Sequence, residues 1–246
     1  MKSFLRYAFV LIMIVGFISS ACTKQESKTA SVEGVHHPEW SKNATIYEVN
    51  IRQYSEEGTF DAFRKDLPRL QEMGVKILWL MPIHPIGEKN RKGPLGSYYS
   101  VKDYKGINPN YGTKQDFQLL VDEAHEFGMK VIIDWVANHT AWDNPWTQNR
   151  DWYELDKDGN FTPPHGTDWS DVIQLNYENK DMRAAMIDAM DYWVRDFDID
   201  GFRCDVAGMV PIDFWENARA SLDHIKPVFM LAEDEGPEMH KAFDMT

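Results

Sequence analysis

The sequence predicts an α/β fold with parallel strands, on three observations. Five short apolar stretches have strand composition, amphipathic helical stretches separate them, and polar residues gather in long loops at the strands' C-terminal ends. Right-handed crossovers wind such units into an open sheet or a barrel. A dinucleotide-binding sheet needs a glycine-rich turn after its first strand, and Arg52, Gln53, Tyr54 and Ser55 stand there instead. Loops collected at one end of every strand fit a barrel better.

The first strand is expected over residues 45–51. A helix follows from about Thr59, with Phe60, Phe63, Leu67 and Leu70 at helical spacing, and Gly74 ends it. The second strand covers 75–81 and leads into a loop, 82–111, rich in Gly, Pro and Tyr. Thr113 caps the next helix, whose Phe117, Leu120, Val121, Ala124 and Phe127 share a face and which closes at Gly128. The third strand, 130–136, precedes an irregular stretch of about 139–176 that reads as a small inserted subdomain. A helix resumes near Lys180, Asp200-Gly201 turns into a fourth strand to Val206, Pro211 opens another helix, and 227–232 is the fifth strand.

The bulk composition is that of a globular chain: 246 residues, 43% hydrophobic and 26% charged, with a formal net charge of −13. That field repels phosphate backbones and anionic lipid, so no nucleic-acid partner is expected and a neutral, hydroxyl-rich ligand is compatible. Residues 1–21 read as an export signal: Lys2 and Arg6, an apolar stretch too short for a comfortable membrane span, then Ser19, Ser20 and Ala21. Cys22 directly afterwards resembles a bacterial lipoprotein cleavage site, with 22–38 as tether. A membrane-anchored, exported lipoprotein is therefore expected, plain secretion being the alternative. Cys204 then has no partner, so a core, not a disulfide framework, holds the fold.

Three strands end in carboxylates at the same relative place: Asp134, Asp205 and Glu233. A barrel brings strand C-termini to one mouth, and a charge buried there costs several kcal/mol unless it is paired or used. Two such acids suit glycoside hydrolysis, where one attacks the anomeric carbon and the other protonates the leaving oxygen. Arg203, two residues before Asp205, shares its face and is expected to keep it ionised. Glu233 follows an apolar run, and desolvation is expected to raise its pKa as an acid catalyst needs. Asp234 and Glu235 beside it leave open which of the three acids serves.

The segment from Asp134 to Asn138-His139 resembles the third-strand motif of the alpha-amylase family. Gly201-Phe202-Arg203-Cys204-Asp205 resembles that family's fourth-strand motif, and Leu231-Ala232-Glu233 its fifth-strand motif. The stretch from Tyr99 to Tyr104 is similar to the segment whose Tyr stacks on the sugar. Gln174-Leu175-Asn176 resembles the short motif closing the insertion after the third strand. All five occur in family order over residues 40–235.

The resemblance implies an eight-stranded barrel, of which this chain carries five strands. It implies a configuration-retaining hydrolase of α-linked glucans such as starch or maltooligosaccharides. Asp205 is then the nucleophile and Glu233 the acid/base; Arg203 orients Asp205, and His139 and Tyr99 hold the sugar, with Tyr98 competing for the Tyr99 role. The chemistry requires no cofactor. Asn138 matches a position that often ligates calcium, but Gly208-Met209 replace the usual Lys-His, which leaves calcium open. The family's third catalytic carboxylate follows its seventh strand. After Glu233 this chain offers only Asp234 to Thr246, where His240 and Asp244 do not fill that role. The expectation is the front part of a longer enzyme, inactive as a 246-residue piece. A transglycosylase on the same scaffold and a non-catalytic glycan-binding lipoprotein are the competing readings.

Overall fold

A computed structural model describes residues 35–246, so the expected export signal and Cys22 lie outside the described residues. In chain order the elements are β1 (Ile46–Val49), α1 (Ile51–Tyr54), α2 (Phe60–Arg64), α3 (Leu67–Glu72) and β2 (Ile77–Leu80). Then come α4 (Lys114–Glu126), β3 (Lys130–Trp135), β4 (His139–Ala141), β5 (Val172–Gln174), α5 (Lys180–Phe197), β6 (Gly201–Cys204), α6 (Ile212–Ile225) and β7 (Phe229–Ala232). Five strands form one sheet, ordered β1-β2-β3-β6-β7, and every pairing is parallel. β4 and β5 pair antiparallel outside that sheet.

The helices begin where local chemistry satisfies their free N–H groups. Thr113 accepts from the backbone N–H of Asp116 while Asp116 accepts from that of Thr113, a reciprocal cap for α4. Asn179 accepts from the N–H groups of Asp181 and Met182 at the start of α5. The single helix expected from Thr59 to Leu70 is two, α2 and α3. Pro68 sits in the first turn of the second; it has no N–H to give the preceding turn, so the chain must restart there. The fourth strand is also shorter than expected: β6 ends at Cys204, and Val206 turns out of the sheet with φ +39° and ψ +48°.

Alternation along the strands separates two faces. Leu78, Leu80, Val131, Ile133, Phe202 and Met230 point to the helices and join the main core. The opposite face carries a smaller cluster of Ile77, Ile132 and Phe229, with Trp40, Ile46, Trp79 and Leu231 packed against it. Gly201 lets β6 approach β7 on this side, since a Cβ there would lie 1.8 Å from the carbonyl oxygen of Phe229. At the N-terminal end of the sheet Asp200 ties three elements. Its carboxylate accepts from Val131 N at 2.9 Å, His125 Nε2 at 2.6 Å, Lys130 Nζ at 3.0 Å and Lys226 Nζ at 3.2 Å.

Asp244 is structural. Its side chain, 2% exposed, accepts from the backbone N–H of Met230 and from Arg219, both at 2.8 Å. Met245 beyond it bridges Leu231 in parallel.

Candidate active site

The inward alternation that places Ile132 and Trp79 under the sheet carries Asp134, Arg203, Asp205 and Glu233 to its C-terminal end on the same face. Asp134 and Arg203 are direct partners in the β3–β6 register. The ladder continues one residue past each strand: Asp205 N donates to Trp135 O and Glu233 N to Cys204 O. The backbone thus aims both acids before any side-chain contact forms.

Arg203 is the hub. Its Nη1 donates to Asp134 Oδ1 at 2.8 Å and to Asp205 Oδ1 at 3.1 Å, and its Nη2 lies 2.8 Å from Glu233 Oε1. The guanidinium also lies over the Trp79 ring, 5.1 Å from its centroid, while Trp79 Nε1 donates to Asp134 Oδ2 at 3.2 Å. Tyr99 Oη is 3.4 Å from that same oxygen. Val206, a β-branched residue in the left-handed region, gives its N–H to Glu233 Oε2 at 2.8 Å. Backbone of that kind persists only where its surroundings over-determine it, and such positions cluster at functional sites.

Three carboxylates share one guanidinium, so the local charge is negative and a proton is retained. Burial pushes Asp134 up from 3.8 to about 6, against the pull of Arg203 and Trp79. Asp205 goes further, to about 8, through burial first, then the charge of Asp134, with Glu233 adding to both and Arg203 opposing. Two expectations therefore need correction. Arg203 does not offset burial and the charge of Asp134 at Asp205, whose pKa is raised rather than lowered. The burial expected of Glu233 is absent from this five-stranded part, where it follows the edge strand β7 and its side chain is 49% exposed.

Of the adjacent acids, Glu233 alone reaches Arg203 among the described residues; Asp234 folds back onto Gly236 N at 2.6 Å. Between the neighbouring tyrosines, Tyr99 faces the acids and Tyr98 lies under Arg52, 4.3 Å from its guanidinium carbon. His139, 2% exposed, packs edge-on against Trp169, and burial lowers its pKa from 6.5 to about 4. It is a neutral imidazole at physiological pH.

Tyr99, His139, Trp169, Asp205 and Glu233 line one cleft of about 400 Å³. Lys92 crosses its rim, reaching Asp168 O at 3.0 Å and Asp171 Oδ1 at 3.4 Å. A larger recess of about 570 Å³, under Arg52 and Arg91, holds none of these acids. The sequence reading missed Trp79, Lys92, Trp169 and Asp171 as site members. Trp79 alone carried a usable signal: on a strand it shares the parity of Ile77, the inward face.

Residues 39–244 match the catalytic-domain model of alpha amylases. The chain belongs to the alpha-amylase family. It is 46% identical to a crystallised alpha-amylase from Lactobacillus plantarum, with a TM-score of 0.79 over 83% of this chain and 52% of that one. The same identity and TM-score hold for the maltogenic alpha-amylase AmyB of Thermotoga neapolitana, of which 49% is covered. Among curated relatives, alpha-amylase MalA of Haloarcula japonica is 30% identical over 81% of this chain and 30% of its own length. The five-stranded parallel sheet with its helices is thus part of the barrel of these amylase structures. The chain spans about half of the solved relatives, and family membership includes proteins named for other reactions, such as the trehalose synthase of Thermus thermophilus, 35% identical.

Proposed function

We propose that these residues form the glycosyl-transferring half of a retaining hydrolase of α-linked glucans, with Asp205 as nucleophile and Glu233 as acid/base. One observation carries the reading: a single guanidinium bonds Asp205 and Glu233 at once, inside a cleft lined by Tyr99, His139 and Trp169. Sharing one partner holds the two acids close, as double displacement requires. Glu233, at the open mouth, stands where a leaving saccharide departs and water enters. Its proton passes to the glycosidic oxygen as the Asp205 carboxylate bonds the anomeric carbon. Water, deprotonated by Glu233, then releases the sugar with its configuration kept.

Asp205 must be ionised for the attack while Glu233 is protonated. Burial and the charge of Asp134 favour the protonated form of Asp205 in the free site, so the attack needs its carboxylate held ionised by Arg203 Nη1 once substrate is bound. The neutral His139 and the Tyr99 ring offer a hydrogen-bond donor and a flat apolar face, the two things a sugar ring presents partners for.

The test uses the enzyme with the complete barrel its relatives have. Maltoheptaose hydrolysis followed by NMR is expected to yield the α-anomer first. Asp205→Asn and Glu233→Gln are each expected to lower kcat/KM by about 10³-fold or more. A β-anomer product, or near-normal activity in either variant, sinks the assignment.

A further inference from the structure

The family resemblance raises calcium at Asn138, and the donor set there argues otherwise. Gln174 Nε2 lies 2.9 Å from Asn138 Oδ1, 3.1 Å from Asn138 O and 3.2 Å from Leu175 O. Three carbonyl-type oxygens converge on one point, the arrangement a hard cation collects. An amide nitrogen occupies that point instead. The orientation of the amide follows from its partners: all three are acceptors, so the nitrogen must face them. A cation at the point where these three oxygens converge would overlap the Gln174 side chain. Nor is there carboxylate charge at this point to attract one: among the described residues no group of three His, Cys, Asp or Glu side chains is placed to hold a metal ion, and Asp171 faces Lys92.

We infer that Gln174 takes the place of a divalent cation at the root of the segment joining β3 to α5, and that through Asn138 it positions His139. The second half follows from the other end of the same amide. With its Oδ1 held by Gln174, Asn138 must point Nδ2 the other way, and there it meets His139 Nδ1 at 3.2 Å. A donor on Nδ1 makes that nitrogen an acceptor, so the ring proton of the neutral imidazole sits on Nε2. His139 and Gln174 are also direct partners in the β4–β5 pairing, so backbone and side chains close the same junction. Gln174 does not itself line the cleft; it is a positioning residue. The amide gives directional hydrogen bonds without an ion that can be lost.

Thermal unfolding of the chain in excess EDTA and in millimolar calcium chloride tests the first half, and needs no activity. The wild-type midpoint is expected to be the same in both. Gln174→Glu removes the donors and adds a carboxylate among acceptor oxygens. Its midpoint in EDTA is expected to fall by about 5–10 °C, and calcium to restore part of the loss. A wild-type midpoint that drops in EDTA and recovers with calcium overturns the inference. So does a Gln174→Glu variant that melts like wild type, or one that calcium does not stabilise.

For the second half, the ¹⁵N shifts of the His139 ring in the wild type are expected to show the Nε2–H tautomer, a readout that mere stiffening of the junction would not set. The Nδ1–H form overturns it. Neither arm depends on the proposed hydrolysis, so its failure and theirs are distinguishable.

Discussion

Asp134 is fully buried and ionises only with difficulty, which makes Asp134→Asn an informative change. Its carboxyl pKa is raised from 3.8 to about 6 by burial, in spite of Arg203. A carboxyl raised on folding binds more protons folded than unfolded, so stability falls as pH rises through the window between the two values. For Asp134 the full loss across that window is about 3 kcal/mol, of which about 1 kcal/mol or somewhat more falls between about pH 5 and pH 8. Asp205, raised by burial and by Asp134 itself, adds in the same direction up to about pH 8.

Asparagine keeps one of the two oxygens, so at least one of the bonds from Arg203 Nη1 to Oδ1 and from Trp79 Nε1 to Oδ2 is lost at every pH, and it removes the charge, including its repulsion of Asp205. Guanidinium unfolding at about pH 5 and about pH 8 measures the consequence. Stability at pH 5 minus stability at pH 8, a gap to which the buried His84 and His139 contribute equally in both proteins, is expected to be smaller in the variant than in the wild type by at least about 1 kcal/mol. A gap unchanged or widened would refute the claim that burial outweighs the Arg203 pairing at this position.

Two further outcomes follow from backbone and charge. Val206→Asn substitutes a residue that tolerates the left-handed region and keeps the N–H bound to Glu233, so it is expected to be about 1 kcal/mol more stable by thermal unfolding; a lower midpoint would show that the valine side chain contributes more than its strain costs. At Asp200 burial raises the pKa, but His125, Lys226 and Lys130 outweigh it and leave it at about 2. Its contribution is therefore full above the unfolded value of 3.8 and lost as pH falls through about 2. Asp200→Asn is expected to cost about 2 kcal/mol near pH 7 and only a small fraction of that near pH 2 by urea titration, and an equal cost at both would contradict it.

What the amino-acid order revealed tracks how local each cause is. Apolar runs and capping residues such as Thr113 and Asn179 are local, and the strands and long helices follow from them. The period of two along each strand likewise puts Asp134, Arg203, Asp205 and Glu233 on one face once the strands are known to be parallel. Pro68 is a local signal too, although the helical spacing of Phe63, Leu67 and Leu70 runs across it. The protonation of Asp205 is not local: it depends on Asp134, 71 positions away, sharing Arg203. The exposure of Glu233 depends on what surrounds the mouth, which no run of apolar residues before it can report. Choosing Tyr99 over Tyr98 required the path of an irregular loop. The Lys92–Asp171 pair joins two such loops, and no periodicity relates them.

The amide at Gln174 also bears on how the chain finds its fold. β3 and β6 must pair across an interval of 69 residues, measured from Asp134 to Arg203. The contact between Gln174 and Asn138 closes 36 of those on themselves. Once that closure forms, the span over which β6 searches for β3 is roughly halved, lowering the entropic cost of the pairing by about 0.6 kcal/mol. The insertion then behaves as a side loop hung from its own root, and its length can vary without lengthening the search. Topological distance, rather than residue count, is what separates the two strands that hold the acids.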